Sequence, residues 1–495
     1  MSDTQVAARE YHGASNSLIL RVHLDDRKGL FNQLMTTISQ MNATVGSVGG
    51  ARFVEVVSEG AGEDARPVRK AERDLTVFLG SASDGPKLIA ALNAIEGVTV
   101  TKDSDPTFLA HLGGKIEVVP KRPIKNAEDL ARQYTPGVAR ICMHLVDHPD
   151  DAHNLTRMGN TILIITDGSR VLGLGNIGPI AAAPVMEGKA ALFKTWGDVN
   201  AVVLTLDTQK VEEIIFVAKM ASKGYGGINL EDIASPGCWE IEKRLQQELD
   251  IPVFHDDQHG TAIAVVAATL NAMKVVKKQL RNARIVVSGV GAAGLASAKL
   301  LKAAGARHFV AFKKEGALFP GRADMHAEEA ALIDGTRCWI KVDEKTTLQD
   351  ALKGADMFLG LSAANLIKPE DLKPMRRDAI VFALANPIAE VDPEGARQYA
   401  RIVATGSAEY ENAINNAVVF PGFFRGMLDA RVRDITPELK LSAARALAAV
   451  ISPENLRDYN IIPDQWDPKA HEAVTQSVRC FAHSCGVSRR SRKKV

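Results

Sequence analysis

The stretch Asn282–Phe312, NARIVVSGVGAAGLASAKLLKAAGARHFVAF, decides the fold. It reads as a strand over RIVVS, a turn holding Gly289, Gly291 and Gly294, a helix, and a second strand ending near Phe312. A bare G-x-G-x-x-G is a weak signal, because glycine serves any tight turn. Framed by strand, helix and strand, it predicts a dinucleotide fold with the pyrophosphate at the helix N-terminus. The backbone of Gly289, Gly291, Ala292, Ala293 and Gly294 is then the candidate cofactor cradle. The later apolar runs DMFLGLSA, AIVFALANP and RIVATG complete a doubly wound parallel sheet of at least five strands, so the class is α/β. An acid for the ribose 2′-OH belongs near position 313, where the sequence reads AFKKEGA. Lys313 and Lys314 there favour a 2′-phosphate, hence NADP over NAD. The competing reading turns both lysines to solvent and lets Glu315 hold the ribose of NAD.

Upstream, Gly226–Ala262 reads GGINLEDIASPGCWEIEKRLQQELDIPVFHDDQHGTA. Two short apolar runs end in acids, Glu231 and Asp232 after the first, Asp256 and Asp257 after the second. That pattern puts carboxylates at strand ends, where open α/β sheets bind ligands. Acids without thiol ligands suit a hard cation, Mg²⁺ or Mn²⁺, although either pair alone is also what a solvated surface carries. Further upstream, TILIITDGSRVLGLGNIGP supplies a strand, then Arg170, which can fork a carboxylate, then Gly173, Gly175 and Gly178. Prolines 179 and 184 make this second GLGNIG unlike a dinucleotide helix, and it is read as backbone approaching substrate. Lys189, in MEGKAALF, has mostly apolar neighbours; a lone lysine is usually solvated, but a desolvated one loses its proton more readily, as a general base needs. Tyr134, just ahead of Thr135 and Pro136, is held extended before a turn, either as core or as a proton donor.

The N-terminal part alternates differently. SLILRVHL, ATVGSVGGARFVEVV, RDLTVFLG and VTVTKD read as strands, and GLFNQLMTTISQM and GPKLIAALNAIEG as helices, in the order βαββαβ of a ferredoxin-like fold. With the turn LDDRKGLF, this part resembles an ACT domain. The resemblance implies that Gly29 lets backbone approach a small effector, while a tight turn would use the same glycine.

The chain has 495 residues, long enough for about three domains by a divisor of roughly 150. Sixty Lys and Arg against 59 Asp and Glu give a net charge of +1, so no global field recruits nucleic acid or membrane. The five cysteines are few and odd in number, which points to a reducing compartment. Cys480, His483 and Cys485 cluster in sequence but lack a second ligand pair for zinc. The N-terminus has no apolar leader and no run reaches the roughly 18 residues of a span, so a cytoplasmic protein is expected.

Read in order over roughly residues 110 to 450, YTPGVA, TDGSRVLGLGNIGP, VMEGKA, GGINLEDI, FHDDQHGTA, SGVGAAG, FALANP and INNAVVFPG resemble the malic enzymes, specifically the bacterial type with an N-terminal ACT domain. The resemblance implies Tyr134 as proton donor, Lys189 as general base, Glu231, Asp232 and Asp257 as metal ligands, and Arg170, Asn386, Asn415 and Asn416 as substrate contacts. It also implies oxidative decarboxylation of L-malate to pyruvate with NADP or NAD, a divalent cation, and a homodimer or higher homo-oligomer. Asn176 stands where many members have Asp, Ala183 where bacterial ones often have Lys, and GSAEYENAINN departs from the usual GRSDYPNQVNN. The expected organisation is a flexible N-terminus (1–16), an ACT domain (17–105), a substrate and metal domain (106–272), a dinucleotide-binding domain (273–450), and C-terminal helices with a basic tail (451–495). Two alternatives stay open: an enzyme that only decarboxylates oxaloacetate or converts malate to lactate, and a non-catalytic effector sensor.

Overall fold

The computed structural model describes residues 16–56, 68–171 and 173–489. Most of the expected flexible N-terminus and the last six residues of the basic tail lie outside the described residues. The chain divides into two compact units after Lys115.

In the first unit, β1 (Ser17–Asp25) alternates in burial, with Leu20, Val22 and Leu24 turned inward, as period two requires of a half-buried strand. Leu30, Leu34 and Ile38 make one face of the helix Leu30–Gln40 and close on that row with Leu88 and Leu92 of the helix Gly85–Asn93. The remaining strands are β2 (Thr44–Val48), β3 (Arg52–Val56), β4 (Val68–Phe78) and β5 (Val98–Ser104). The order β2-β4-β1-β5 is that of a ferredoxin-like sheet. One expectation is corrected: ATVGSVGGARFVEVV is not one strand. It breaks at Gly49 and Gly50, and β2 and β3 pair with different halves of the long β4. A Cβ on Gly49 would lie 3.1 Å from the Asp74 carbonyl, a tight contact that favours glycine where the chain bends. A second correction concerns the boundary. Residues 106–115, expected to open the substrate domain, belong to this unit, where Asp105 caps the short helix Pro106–Leu109.

The second unit holds two sheets. The first, in order β7-β6-β8-β9, is wholly parallel: β6 (Thr161–Thr166), β7 (Asn200–Thr205), β8 (Ile228–Leu230) and β9 (Val253–His255). The second contains β10 (Arg284–Ser288), β11 (His308–Lys313), β12 (Gly316–Ala317), β13 (Met357–Gly360), β14 (Ile380–Ala383) and β15 (Ile402–Thr405), ordered β12-β11-β10-β13-β14-β15. Five of these are parallel, as expected, and the two-residue β12 turns back antiparallel on β11. The chain leaves β10 toward β11 on one side and continues as β13 on the other, which makes a topological switch point beside β10.

The helix Asp256–Val275 is apolar nearly all round and buried along almost its whole length. A helix of that kind belongs in the middle of a core. It shares one hydrophobic cluster with Ile162 and Phe254 of the first sheet and Ile285 and Val287 of the second. The expected domain boundary at 272/273 therefore falls in the last turn of a helix that serves both sheets. The C-terminal helix Pro468–Ser484 likewise joins this unit. It lies close on the helix Phe420–Ala430, where a Cβ on Gly422 would come within 2.4 Å of the His471 carbonyl. No described helix is long and apolar enough to cross a membrane.

Candidate active site

β8 and β9 are parallel neighbours in register, Leu230 opposite His255. The residues that follow each strand are therefore brought side by side, and these are the acids. Glu231 and Asp232 leave β8; Asp256 and Asp257 leave β9 and begin the helix Asp256–Val275, where the helix dipole favours negative charge. Asp232 sits at φ +53, a left-handed conformation that Asp tolerates better than most residues, and its N–H donates to Asp257 Oδ2 at 2.8 Å. Glu242, on the helix Gly237–Glu248, fixes the β9 end from behind by accepting the His255 N–H at 3.0 Å and the Gln258 amide at 3.1 Å.

Carboxylate oxygens of Glu231, Asp232 and Asp257 all lie within 4.8 Å of one another. Burial and then mutual repulsion push these acids above the usual carboxylate range: Glu231 to about 7 and Asp232 to about 9, with Asp257 also raised. Four carboxylates, counting Asp256, face the single ammonium of Lys189, and that excess negative charge is what a divalent cation would neutralise. Oxygen donors without a thiol fit Mg²⁺ or Mn²⁺. Cys480, His483 and Cys485 do not gather: among the described residues, Glu231, Asp232 and Asp257 alone bring three or more His, Cys, Asp or Glu side chains together.

Lys189 lies on the helix Gly178–Gly197 with its side chain buried. Its Nζ donates to Glu231 Oε1 at 2.6 Å and makes a short contact with Asp256 Oδ2, and it stands 4.3 Å from the centre of the Phe420 ring. Glu231 Oε2 accepts from the Asn229 amide at 2.8 Å. Burial alone would lower the Lys189 pKa, but Asp256, Glu231 and Asp257 together raise it above the ordinary lysine value. The expectation that apolar neighbours loosen its proton is thus corrected: the carboxylates hold it. Asp256, which sequence reasoning left without a role, is its second counter-ion. The doublet Asp-Asp gave no sign of which acid faces the lysine and which the metal. Gly260 explains the crowding, since a Cβ there would strike Asp256 Oδ1 and come within 3.1 Å of Asn416 Cβ.

The expected substrate contacts converge in part. The Arg170 N–H donates to the Asp232 carbonyl at 2.9 Å, and its guanidinium, exposed and without a hydrogen bond among the described residues, lowers the Asp257 pKa by its charge. Asn416 borders Asp256 through Gly260. Asn415 uses its side-chain oxygen to cap the turn at Ala417, 2.8 Å away. Asn386 lies against both Gly406 and Gly173, so the close approach in the GLGNIG loop is to the Asn386–Pro387 backbone. Glu390, also missed, is fully buried and accepts the N–H groups of Ser362 at 2.8 Å and Ala385 at 3.0 Å, tying together the ends of β13 and β14 beside Asn386. Nothing in NPIAEVDP distinguishes it from a surface acid. Tyr134, 65% exposed, makes no hydrogen bond to this cluster among the described residues.

The candidate cofactor cradle is built on glycines, of which Gly289 and Gly294 answer a local steric demand. Gly289 has φ +90, and a Cβ there would meet the Leu361 carbonyl at 2.4 Å; one on Gly294 would meet the Gly289 carbonyl at 1.7 Å. Gly291 caps the helix Ala292–Ala303, and a Cβ on it would have no neighbour nearer than 4.0 Å, leaving the amides of Ala292, Ala293 and Gly294 facing open space for a pyrophosphate. Lys313 departs from expectation. Its Nζ donates to the Asp324 carbonyl at 2.6 Å and pairs with Asp324 Oδ2 at 3.0 Å and Glu329 Oε2 at 3.7 Å. Arg322 grips the same Asp324 at 2.6 Å. The cation meant for a 2′-phosphate is already neutralised, and only Lys314 is exposed.

Residues 113–246 match the family described as malic enzyme, N-terminal domain, and residues 258–467 match malic enzyme, NAD binding domain. The chain is 44% identical to an NAD-dependent malic enzyme of Geobacillus stearothermophilus over 97% of each chain. It is 42% identical to a bifunctional malic/malolactic enzyme of Bacillus subtilis, over 76% of this chain and 92% of that one. A crystal structure of malic enzyme from Pyrococcus horikoshii superposes with a TM-score of 0.72 at 41% identity, over 77% of this chain and 89% of that one.

Proposed function

The chain belongs to the malic enzyme family, and we propose that it oxidatively decarboxylates L-malate to pyruvate and CO₂ with reduction of a nicotinamide cofactor. The observation that carries this reading is the buried lysine hydrogen-bonded to a member of a three-carboxylate group. A divalent cation held by Glu231, Asp232 and Asp257 would supply Lewis-acid polarisation of the substrate oxygen, and the bound nicotinamide an acceptor for hydride. The protein's own residues do the rest. Lys189 Nζ, its proton released once Glu231 and Asp257 are neutralised, takes the hydroxyl proton of malate. Asp256 keeps the returning ammonium in place. Arg170 forks a malate carboxylate, while Asn386, Asn415 and Asn416 offer amide donors that fix its orientation. Tyr134 delivers the proton to the enol carbon that becomes the methyl group of pyruvate.

The paired state of Lys313 supports NAD in preference to NADP, the reverse of the sequence expectation. The N-terminal unit is read as an ACT-type regulatory domain, supported by its strand order and by Gly29, left-handed at φ +84 with open space around its missing side chain. Malolactic conversion, named in the Bacillus subtilis relative, is the second reading. Absorbance of the reduced nicotinamide, followed with L-malate, Mn²⁺ and either cofactor, separates the two. Malic activity gives one reduced cofactor per pyruvate, and a malolactic enzyme gives lactate with no net reduced cofactor.

A further inference from the structure

The parallel strands of the second sheet all begin on one edge, and each begins beside a cation. Arg284 opens β10, and register sets it opposite His308, the first residue of β11, with Arg307 just ahead. The Arg337 N–H donates to the Arg307 carbonyl at 2.9 Å, which brings a third arginine to the same place. Ahead of β13, Asp356 is buried and holds Lys278 at 2.9 Å and Arg376 at 3.3 Å while accepting the Arg284 N–H at 3.0 Å. Ahead of β14 and β15 stand Arg377 and Arg401, with Asp378 3.8 Å from the first and 3.5 Å from the second. Lys278, Arg376 and Arg377 border a cavity of about 410 Å³. The cations outnumber the two acids paired with them, and Asp356 is already spent on three donors. His308 registers the field: burial first, and then Arg337, Arg284 and Arg307, hold its pKa below the ordinary histidine value.

The net charge of the chain is only +1, so this edge is a local concentration of charge and not part of a general field. Apart from Lys278 its cations are all arginine, and Arg307, Arg337, Arg376, Arg377 and Arg401 are exposed. Arginine forks phosphate oxygens and keeps its charge at any physiological pH. Across five strands about 4.8 Å apart the row runs roughly 19 Å, longer than a single phosphate group can use. None of the residues lining the cavity is aromatic, so it offers no platform on which a base could stack. We propose that this edge binds a linear chain of phosphates, inorganic polyphosphate, laid along the row with one stretch in the cavity. The turn holding Gly289 and Gly291 follows the opposite end of β10, so polyphosphate and dinucleotide bind at the same time.

Fluorescence anisotropy of end-labelled inorganic polyphosphate, titrated with the full-length protein, tests this. Binding is expected with a Kd of about 10 µM or tighter in low salt, weakening steeply as salt rises. Arg377→Gln combined with Arg401→Gln should weaken it by about tenfold or more, through the loss of two charge-assisted contacts. Lys223→Gln combined with Lys469→Gln removes the same charge from exposed positions outside the row and should change Kd by less than about twofold. If the arginine pair does not fold, Arg307→Gln, compared with Lys469→Gln alone, makes the same test at the other end of the row. Saturating NAD is expected to leave the affinity unchanged. Absence of binding overturns the proposal, and so does an equal loss in the two double variants, which would reduce the effect to net charge. Release by NAD would put the polyphosphate on the glycine turn and overturn it as well. Single-stranded RNA bound as tightly as polyphosphate would make a nucleic acid backbone the partner and overturn the choice of polyphosphate.

Discussion

Lys189 and Glu231 meet through a 2.6 Å hydrogen bond from Nζ to Oε1, between positions 42 residues apart in the chain. The bond joins the candidate base to a candidate metal ligand, so the charge on one sets the proton affinity of the other. While Glu231, Asp256 and Asp257 are ionised and unshielded, Lys189 keeps its proton. A divalent cation held by Glu231, Asp232 and Asp257 would weaken that hold by neutralising the acids.

Asp257→Asn neutralises one of the three candidate metal ligands and also weakens the contact that accepts the Asp232 N–H. Mn²⁺ affinity measured by calorimetry is expected to drop by about tenfold or more, since a hard cation depends on charged oxygen donors. Unchanged affinity would move the ligand role to Asp256.

Metal binding is coupled to protons. With Glu231 raised to about 7 and Asp232 to about 9, the metal-free site holds at least one proton at pH 7. Mn²⁺ should therefore release about one proton there, seen as a binding heat that differs between buffers of different ionisation enthalpy. The same shifts set the stability profile. The folded protein keeps carboxyl protons that the unfolded chain has lost above its ordinary range near 4. Stability of the metal-free protein therefore falls as pH rises from about 5 to about 9, and saturating Mn²⁺ removes that slope. Equal heats in all buffers, or a metal-free melting temperature that climbs over this window, would contradict the charge balance described.

The sequence shows residue types at strand ends better than it shows their partners. The strand, glycine turn and helix around Gly289, Gly291 and Gly294 were legible because each glycine answers a local steric demand, at Leu361 and at the Gly289 carbonyl itself. The acids after β8 and β9 were legible as a group for the same local reason. Which of Asp256 and Asp257 faces Lys189 depends on how the first turn of the helix is rotated, and that is fixed by tertiary packing around Gly260. The pairing of Lys313 was not legible because its partner Asp324 folds back from 11 residues further on, in a loop without periodicity. The break at Gly49 was hidden because both halves of the segment have strand character and only the length of β4 separates them.

If Lys313 and Arg322 face the cofactor, Asp324 is expected to govern the choice between NAD and NADP. With Lys313 and Arg322 both bound to it, the wild type is expected to show a higher kcat/KM with NAD than with NADP. Asp324→Ala frees two cations beside the β11 end and should improve kcat/KM for NADP by about tenfold, the worth of one charge-assisted contact to a phosphate. A wild type that already prefers NADP would mean that Lys314 alone suffices or that the Lys313 pair opens for the cofactor.

The most direct measurement is the rate of L-malate oxidation by Lys189→Ala, with Mn²⁺ and cofactor binding measured on the same preparation. Loss of kcat by two or more orders of magnitude, with Mn²⁺ and cofactor still bound, is the result predicted for a general base held between Glu231 and Asp256. Near-normal turnover at neutral pH would contradict it.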